Sequence, residues 1–212
     1  MNIVIFYIAL FIGIIPLLVL LFKNKAFDTR QPVILFVWLT AIAVVYEYVG
    51  TILLKKGTAH WFQLYDLLEF TALFYFFYKV LPGRYKIVLY TFLALFGATY
   101  ILSLLTWDKY NALKTININA VPTVILVFTG CGLWFKNLFD KADVPNPWQS
   151  VSFYFIAGFI IYYSSTFFLF LLSNFIFESE SLYIHDYWVI NVMATLILRI
   201  LMIIGIWKMK PD

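Results

Sequence analysis

The amino-acid sequence predicts an all-helical integral membrane protein with seven transmembrane helices. Hydrophobic residues occupy 64% of the 212 positions and charged residues only 12%, whereas a soluble domain is about 45–50% apolar and about 25% charged. The apolar residues form long runs, and about 20 of them suffice for a helix to cross a bilayer. Aromatic residues reach 21%, and many Trp and Tyr stand near the ends of these runs, as the headgroup region favours.

Seven runs are long enough to span a membrane. They lie at 3–22, 32–54, 60–81, 87–105, 113–135, 151–176 and 187–207, within a single domain of residues 1–212. The first run is too long for a signal peptide and has no positive charge before it, so we expect it to be retained. The connections are short, and no soluble catalytic domain is predicted.

The Lys and Arg residues predict the orientation of the helices, because cytoplasmic loops carry an excess of them. Residues 23–31, 79–86, 136–150 and the C-terminal tail contain ten, whereas the connections on the other side contain four. The N-terminus is therefore predicted outside and the C-terminus in the cytoplasm. These basic residues stand singly or in pairs, so they indicate topology and no nucleic-acid partner.

Polar residues within the spans indicate a pocket near the outer surface. The stretch from His60 to Glu69 places two carboxylates in a predicted helix, and ionisable groups at such depth usually face a cavity or a partner. At 1.5 Å per residue, Asp66 and Glu69 lie roughly 9 and 14 Å below the outer end. The predicted pocket residues are Glu47, Asp66, Glu69, Asn119, Asn174, His185, Asn191 and Arg199.

The seventh predicted helix has a polar face at helical spacing, which includes His185, Asn191 and Arg199. Helical side chains tilt toward the N-terminus, here away from the nearer cytoplasmic surface, so we expect an internal partner for Arg199. Glu47 and Glu69 are the candidate partners. An ion pair that only fixes helix packing is the alternative interpretation.

Two similar segments suggest an internal duplication. Phe22-Lys-Asn follows the first span and Phe135-Lys-Asn follows the fifth, and a proline precedes the next span in each case. We therefore predict two three-helix repeats joined by the fourth helix, as in carriers built from repeats. Asp66 and Asn191 would then occupy equivalent positions.

Several chemistries have no support in the sequence. The two histidines are not spaced as metal ligands, and no serine stands in a nucleophile motif. The single Cys131 excludes an intrachain disulfide. No lysine lies within a span in a position to bind retinal, and no glycine-rich phosphate motif is present. We therefore predict no metal and no cofactor.

The segment Trp61-Phe-Gln-Leu-Tyr-Asp-Leu-Leu-Glu-Phe70 and the closing helix from Asn191 to Arg199 resemble a group of small, stand-alone bacterial seven-helix membrane proteins. The resemblance implies a bacterial inner membrane and a shared polar pocket, and it implies no activity. The layout also resembles the three-plus-one-plus-three arrangement of small sugar or vitamin carriers, although their motifs are absent.

Three functions remain open from the sequence. A carrier for a small polar or cationic solute fits the one-sided polar residues and the suggested duplication. A sensor or accessory subunit is the alternative, which would act through a separate protein partner or a second copy of the chain. The third is an intramembrane enzyme that modifies lipid with Asp66 and Glu69 as acid and base. The sequence favours a role other than catalysis, because no nucleophile is specified.

Overall fold

The structure, a computed structural model, describes residues 3–55, 59–106, 112–140, 146–178 and 184–209. Within these ranges the side chains of residues 3–6, 59, 112–117, 168–178 and 184–188 lie outside the description. The described residues form helices and short connections, with no β-strand among them. The prediction of an all-helical protein is therefore confirmed.

Eight α-helices follow one another along the described chain. They are α1 (Ile3–Ile12), α2 (Ile15–Phe22), α3 (Ile34–Val45), α4 (Ala59–Val80), α5 (Lys86–Leu105), α6 (Ala112–Asp140), α7 (Val151–Glu178) and α8 (Ile184–Trp207). A π-helix (Tyr46–Leu53) continues α3, and short 3-10 turns (Gly83–Tyr85 and Pro147–Gln149) precede α5 and α7. Each predicted span overlaps one helical segment, except that the first is divided into α1 and α2.

Four of these segments are long and apolar enough to cross a membrane. They are Ile34–Leu53, Gly83–Leu105, Ile118–Asp140 and Val189–Trp207, and Tyr7–Phe22 and Val151–Phe167 are shorter apolar helices among the described residues. Helix α4 has sufficient length, but Gln63, Asp66 and Glu69 lower its mean hydropathy. The helices are those of a membrane protein, while the full set of seven spans and their orientation stay predictions.

The helices group into two compact units. One unit comprises Met1–Ala26 with Asp143–Asp212, and the other comprises Phe27–Ala142. The first contains α1, α2, α7 and α8, and the second contains α3 to α6 with the π-helix. Each unit therefore contains helices from both predicted repeats, and the duplication itself stays a prediction.

The first predicted span is interrupted between α1 and α2. Pro16 has no backbone N–H to donate, and the Gly13 N–H donates to the Leu10 carbonyl at 3.1 Å, one residue closer than in a regular α-helix. Arg199 of α8 donates through Nη1 to the carbonyl oxygen of Ala9. The guanidinium thus supplies the hydrogen bond that Ala9 loses at the break, as spanning helices with proline require.

Two glycines allow α7 and α8 to approach each other closely. A Cβ atom on Gly158 would lie 2.8 Å from Leu198 Cδ1, and a Cβ atom on Gly205 would lie 2.9 Å from the ring of Phe155. Small residues at such contacts are typical of helices that pack in a membrane. The pair α7 and α8 is therefore the tightly packed core of the first unit.

Helix α4 is held between α5 and α6 by aromatic contacts in the second unit. The rings of Phe70 and Phe96 stack with centroids 3.9 Å apart and an angle of 7°. A Cβ atom added to Gly130 of α6 would lie only 2.6 Å from the ring of Phe77. Phe77 is completely buried, so it has no room to move aside.

Replacing Gly130 with Ala should destabilise the protein. The added methyl group would overlap the buried Phe77 ring, and overpacking of this kind costs about 1–3 kcal/mol. Gly97→Ala is the matched control, because nothing lies within 4 Å of its Cβ position. Thermal unfolding in detergent should show a lower Tm for Gly130→Ala alone, and equal Tm values for the two variants would contradict this account of the packing.

Candidate functional site

Three buried polar side chains meet where α4 begins, α5 ends and α6 begins. They are Gln63 on α4, Ser103 on α5 and Asn119 on α6, with exposed fractions of 8%, 0% and 0%. Gln63 lies in the second turn of α4, and Ser103 lies in the last turn of α5. We call Gln63, Asp66, Ser103 and Asn119 the polar cluster.

The Ser103 hydroxyl group joins the three helices of the cluster. It accepts hydrogen bonds from Gln63 Nε2 at 2.7 Å and from Asn119 Nδ2 at 3.1 Å. It donates its own proton to the Tyr100 carbonyl oxygen, also at 2.7 Å. A hydroxyl group has one donor and two acceptor positions, so the bonding capacity of Ser103 is completely used.

Asn119 connects Ser103 to Asp66. Its Nδ2 also donates to Asp66 Oδ2 at 3.3 Å, so both amide protons have acceptors. Its carbonyl oxygen, Oδ1, is buried and has no hydrogen-bond partner among the described residues. A buried acceptor without a hydrogen bond lowers the stability of a protein by about 1–3 kcal/mol. Native proteins contain few such groups, and a bound water, an ion or a functional role commonly explains them. Asn119 Oδ1 therefore marks the cluster as a candidate binding site.

A groove lies beside the cluster on the surface of α4 and α5. Its volume is about 310 Å³, and it is lined by His60, Gln63, Leu64, Tyr100 and Leu104. The Tyr100 hydroxyl donates to the Gln63 backbone carbonyl at 3.2 Å, which fixes one wall. Gln63 belongs to both the groove and the cluster, so it connects the accessible surface to the buried groups.

The structure brings together two of the predicted pocket residues, Asp66 and Asn119. Glu69 is partly buried one turn further along α4. Glu47 is partly buried in the π-helix, a conformation that is frequent at functional sites. Thr51, in the same π-helix, has a buried hydroxyl oxygen without a partner among the described residues.

The other predicted pocket residues belong to the first compact unit. Asn191 has a buried Oδ1 atom with no partner in the described part of the chain. Arg199 donates to the carbonyl oxygens of Ala9 and Leu10, and the predicted pairing with Glu47 or Glu69 stays a prediction. The side chains of Asn174 and His185 lie outside the described residues.

Sequence reasoning missed Ser103 and Tyr100 and did not select Gln63 as a site residue. The available signal was depth, because Ser103 lies two residues before the end of α5 and Gln63 four residues after the start of α4, so both lie within about one turn of those ends. Hydroxyl groups in spans commonly donate to a carbonyl of their own helix. The sequence therefore did not distinguish Ser103 from the other Ser and Thr residues of the spans. Among the described residues, no three His, Cys, Asp or Glu side chains form a group suited to a metal ion.

Comparison with protein-family models, curated proteins and solved structures found no match to this chain. The helices and the site define a helical membrane protein with a buried polar cluster beside a groove.

Removing the Ser103 hydroxyl group should destabilise the second unit. Ser103→Ala leaves the amide groups of Gln63 and Asn119 without their shared acceptor, which should lower the free energy of unfolding by about 1–2 kcal/mol. Thr106→Ala is the matched control on the same helix, since its exposed hydroxyl bonds only to the Leu102 carbonyl. Thermal unfolding in detergent measures both, and a Ser103→Ala variant as stable as Thr106→Ala would refute the role of the hydroxyl.

Proposed function

We propose that this protein is a membrane carrier that binds a small polar solute at the polar cluster. The observation that carries the proposal is the buried, unpartnered Asn119 Oδ1 beside Asp66. Ionisable groups in a spanning helix commonly mark solute or ion pathways. The cluster combines this feature with a groove that reaches the surface of the helices.

The hydrogen-bond inventory of the cluster favours a solute that donates hydrogen bonds. Both Asn119 amide protons, the Ser103 proton and one Gln63 amide proton already have acceptors. The groups left over are mainly acceptors, namely Asn119 Oδ1 and the second carboxylate oxygen of Asp66. A primary ammonium group supplies three donors and a positive charge. We therefore propose a small ammonium-bearing solute, and this deepens the expectation of a polar or cationic one.

The size of the groove fits a small molecule. Its volume of about 310 Å³ lies at the lower end of the range of about 300–1,000 Å³ for ligand pockets. Leu64 and Leu104 supply apolar walls, and a few polar groups among apolar walls are typical of such sites. The solute would place its ammonium group past Gln63, toward Asn119 Oδ1 and Asp66, and its carbon atoms against the leucines.

The interrupted first span supports a carrier in particular. Carriers commonly contain discontinuous helices, whose ends provide both ion sites and points of bending. The break between α1 and α2, bridged by Arg199, is such a discontinuity. The proposed setting is a bacterial inner membrane with seven spans and the N-terminus outside, so that the cluster faces the outer half of the bilayer.

Ethanolamine should raise the thermal stability of the purified protein, because binding to the folded state alone stabilises it by mass action. Tetramethylammonium has the same charge but no N–H donor, and glycerol has donors but no charge, so neither should match the effect. Asp66→Asn should abolish the shift, since it removes the charge but keeps an acceptor for Asn119. Asp140→Asn, at an exposed carboxylate on α6, should leave the shift unchanged.

The same variants test transport. Liposomes that contain the wild type should take up radiolabelled ethanolamine faster than empty liposomes, and Asp66→Asn liposomes should not. Ethanolamine stabilisation without uptake would leave binding but contradict the carrier. Equal stabilisation by ethanolamine, tetramethylammonium and glycerol would contradict the donor-selective site.

A further inference from the structure

A second cluster of polar groups lies at the opposite end of α4 and α5, where α4 ends and α5 begins. Lys86 Nζ donates to the Tyr78 hydroxyl at 3.2 Å and lies 4.4 Å from the centroid of the same ring. Lys79 Nζ lies 5.4 Å from the centroid of Tyr75, and its charge acts on the Tyr78 hydroxyl group. The ring of Tyr90 packs edge-on against Tyr78 at 6.4 Å. We call Lys79, Lys86, Tyr78 and Tyr90 the lysine–tyrosine site.

Comparable lysines of the first unit are already satisfied by backbone carbonyls. Lys23 Nζ donates to the carbonyls of Trp207 and Met209 at 2.5 and 2.7 Å, at the end of α8. Lys208 Nζ donates to the Trp148 carbonyl at 3.0 Å. These contacts satisfy carbonyl groups that a helix end or turn leaves free, so the two lysines have a structural role.

The arginines of the second unit are also paired. Arg84 bonds Asp140 at 3.2 Å, and Arg30 bonds Asp28 at 3.0 Å. Hydrogen bonds from Arg30 and Gln31 lower the pKa of Asp28 to about 2, so this carboxylate stays ionised at neutral pH and stays paired. Neither carboxylate is therefore available to the lysine–tyrosine site.

Lys79 and Lys86 differ from these residues because their ammonium groups contact tyrosine rings. A tyrosine ring carries no negative charge to compensate that of the ammonium group. In the part of the chain that the structure describes, neither ammonium group has a carboxylate partner or a backbone carbonyl acceptor. Cation–π contact orients an ammonium group but leaves its charge and two or three donors available. The two ammonium groups beside phenol groups are therefore available to bind an anion.

The surface of α5 next to this site is suited to an acyl chain. Ile87, Tyr90 and Leu93 follow one another along one side of the helix at spacings of three, and they are 79%, 51% and 43% exposed. Only 17% of the apolar stretch within Gly83–Leu105 is buried within the protein. An amphiphile with its anion at the lysines would lay its tail along this exposed strip.

We propose that the lysine–tyrosine site binds the headgroup of an anionic phospholipid. The phosphate oxygens accept hydrogen bonds from Lys79 and Lys86 and from the Tyr78 hydroxyl group, whose oxygen accepts from Lys86, and the acyl chains follow α5 toward Leu93. The distribution of Lys and Arg predicts that this end of the helices faces the cytoplasm, where basic pockets recognise anionic headgroups. This inference is independent of the proposed solute site.

Native mass spectrometry of the full-length protein tests the proposal. The protein is released from micelles that contain phosphatidylglycerol and phosphatidylcholine with identical acyl chains in equal amounts. The wild type should retain phosphatidylglycerol over phosphatidylcholine by roughly twentyfold, since each lysine near an anionic surface contributes roughly a fivefold factor. Lys79→Ala/Lys86→Ala should lose most of this preference, and Lys79→Ala alone should lose part of it.

Lys136→Ala is the matched control, because Lys136 is an exposed lysine near the end of α6 and carries the same charge. It should keep the wild-type preference. The proposal is overturned if the wild type shows no preference, or if the double variant or Lys79→Ala keeps it in full. It is also overturned if Lys136→Ala loses as much, or if excess inorganic phosphate abolishes the preference, which would indicate a site for free phosphate.

Discussion

Water is absent from the hydrocarbon core of a bilayer, so every polar group of a spanning helix must find its partner within the protein. In the second unit the Ser103 hydroxyl group meets this requirement for the side-chain amides of Gln63 and Asn119. Ser103 accepts from Gln63 and Asn119 and donates to the Tyr100 carbonyl, so it connects α4, α5 and α6. Asn119 Oδ1, by contrast, is a buried acceptor of the cluster that has no hydrogen-bond partner among the described residues.

The same requirement explains the interrupted first helix in the other unit. At the break the Gly13 N–H donates to the Leu10 carbonyl in place of the Ala9 carbonyl, and the guanidinium group of Arg199 satisfies Ala9. The guanidinium group has five N–H donors, so Arg199 can bond the Ala9 carbonyl and other groups at the same time. A charged residue within a span can therefore support a discontinuous backbone, which is the kind of element that carriers use.

The sequence predicts much of this fold, because lipid imposes a simple rule on helix length. The seven apolar runs match the observed helices within a few residues, and the break at Pro16 lies inside the first run. The association of Asp66 with Asn119 follows from their similar depth. Packing partners do not follow in this way, because hydropathy does not show which helices are neighbours. The roles of Ser103 and of the Ala9 carbonyl depend on contacts between neighbouring helices, so the sequence alone did not predict them.

The two ends of α4 and α5 differ in the charge that they present. At one end the polar cluster has acceptors, Asn119 Oδ1 and the Asp66 carboxylate, and at the other end lie the cations Lys79 and Lys86. The proposed donor-bearing solute and the proposed anionic lipid are complementary to these groups. Between these ends, stacked rings such as Phe70 and Phe96 join α4 to α5.

An experimental structure of the protein in a lipid nanodisc with ethanolamine tests the central claim most directly. The account predicts density for a bound donor within about 2.7–3.2 Å of Asn119 Oδ1, with Ser103 still accepting from Gln63 and Asn119. A structure in which Asn119 Oδ1 accepts a hydrogen bond from another side chain of the protein, with no solute beside it, would contradict the account.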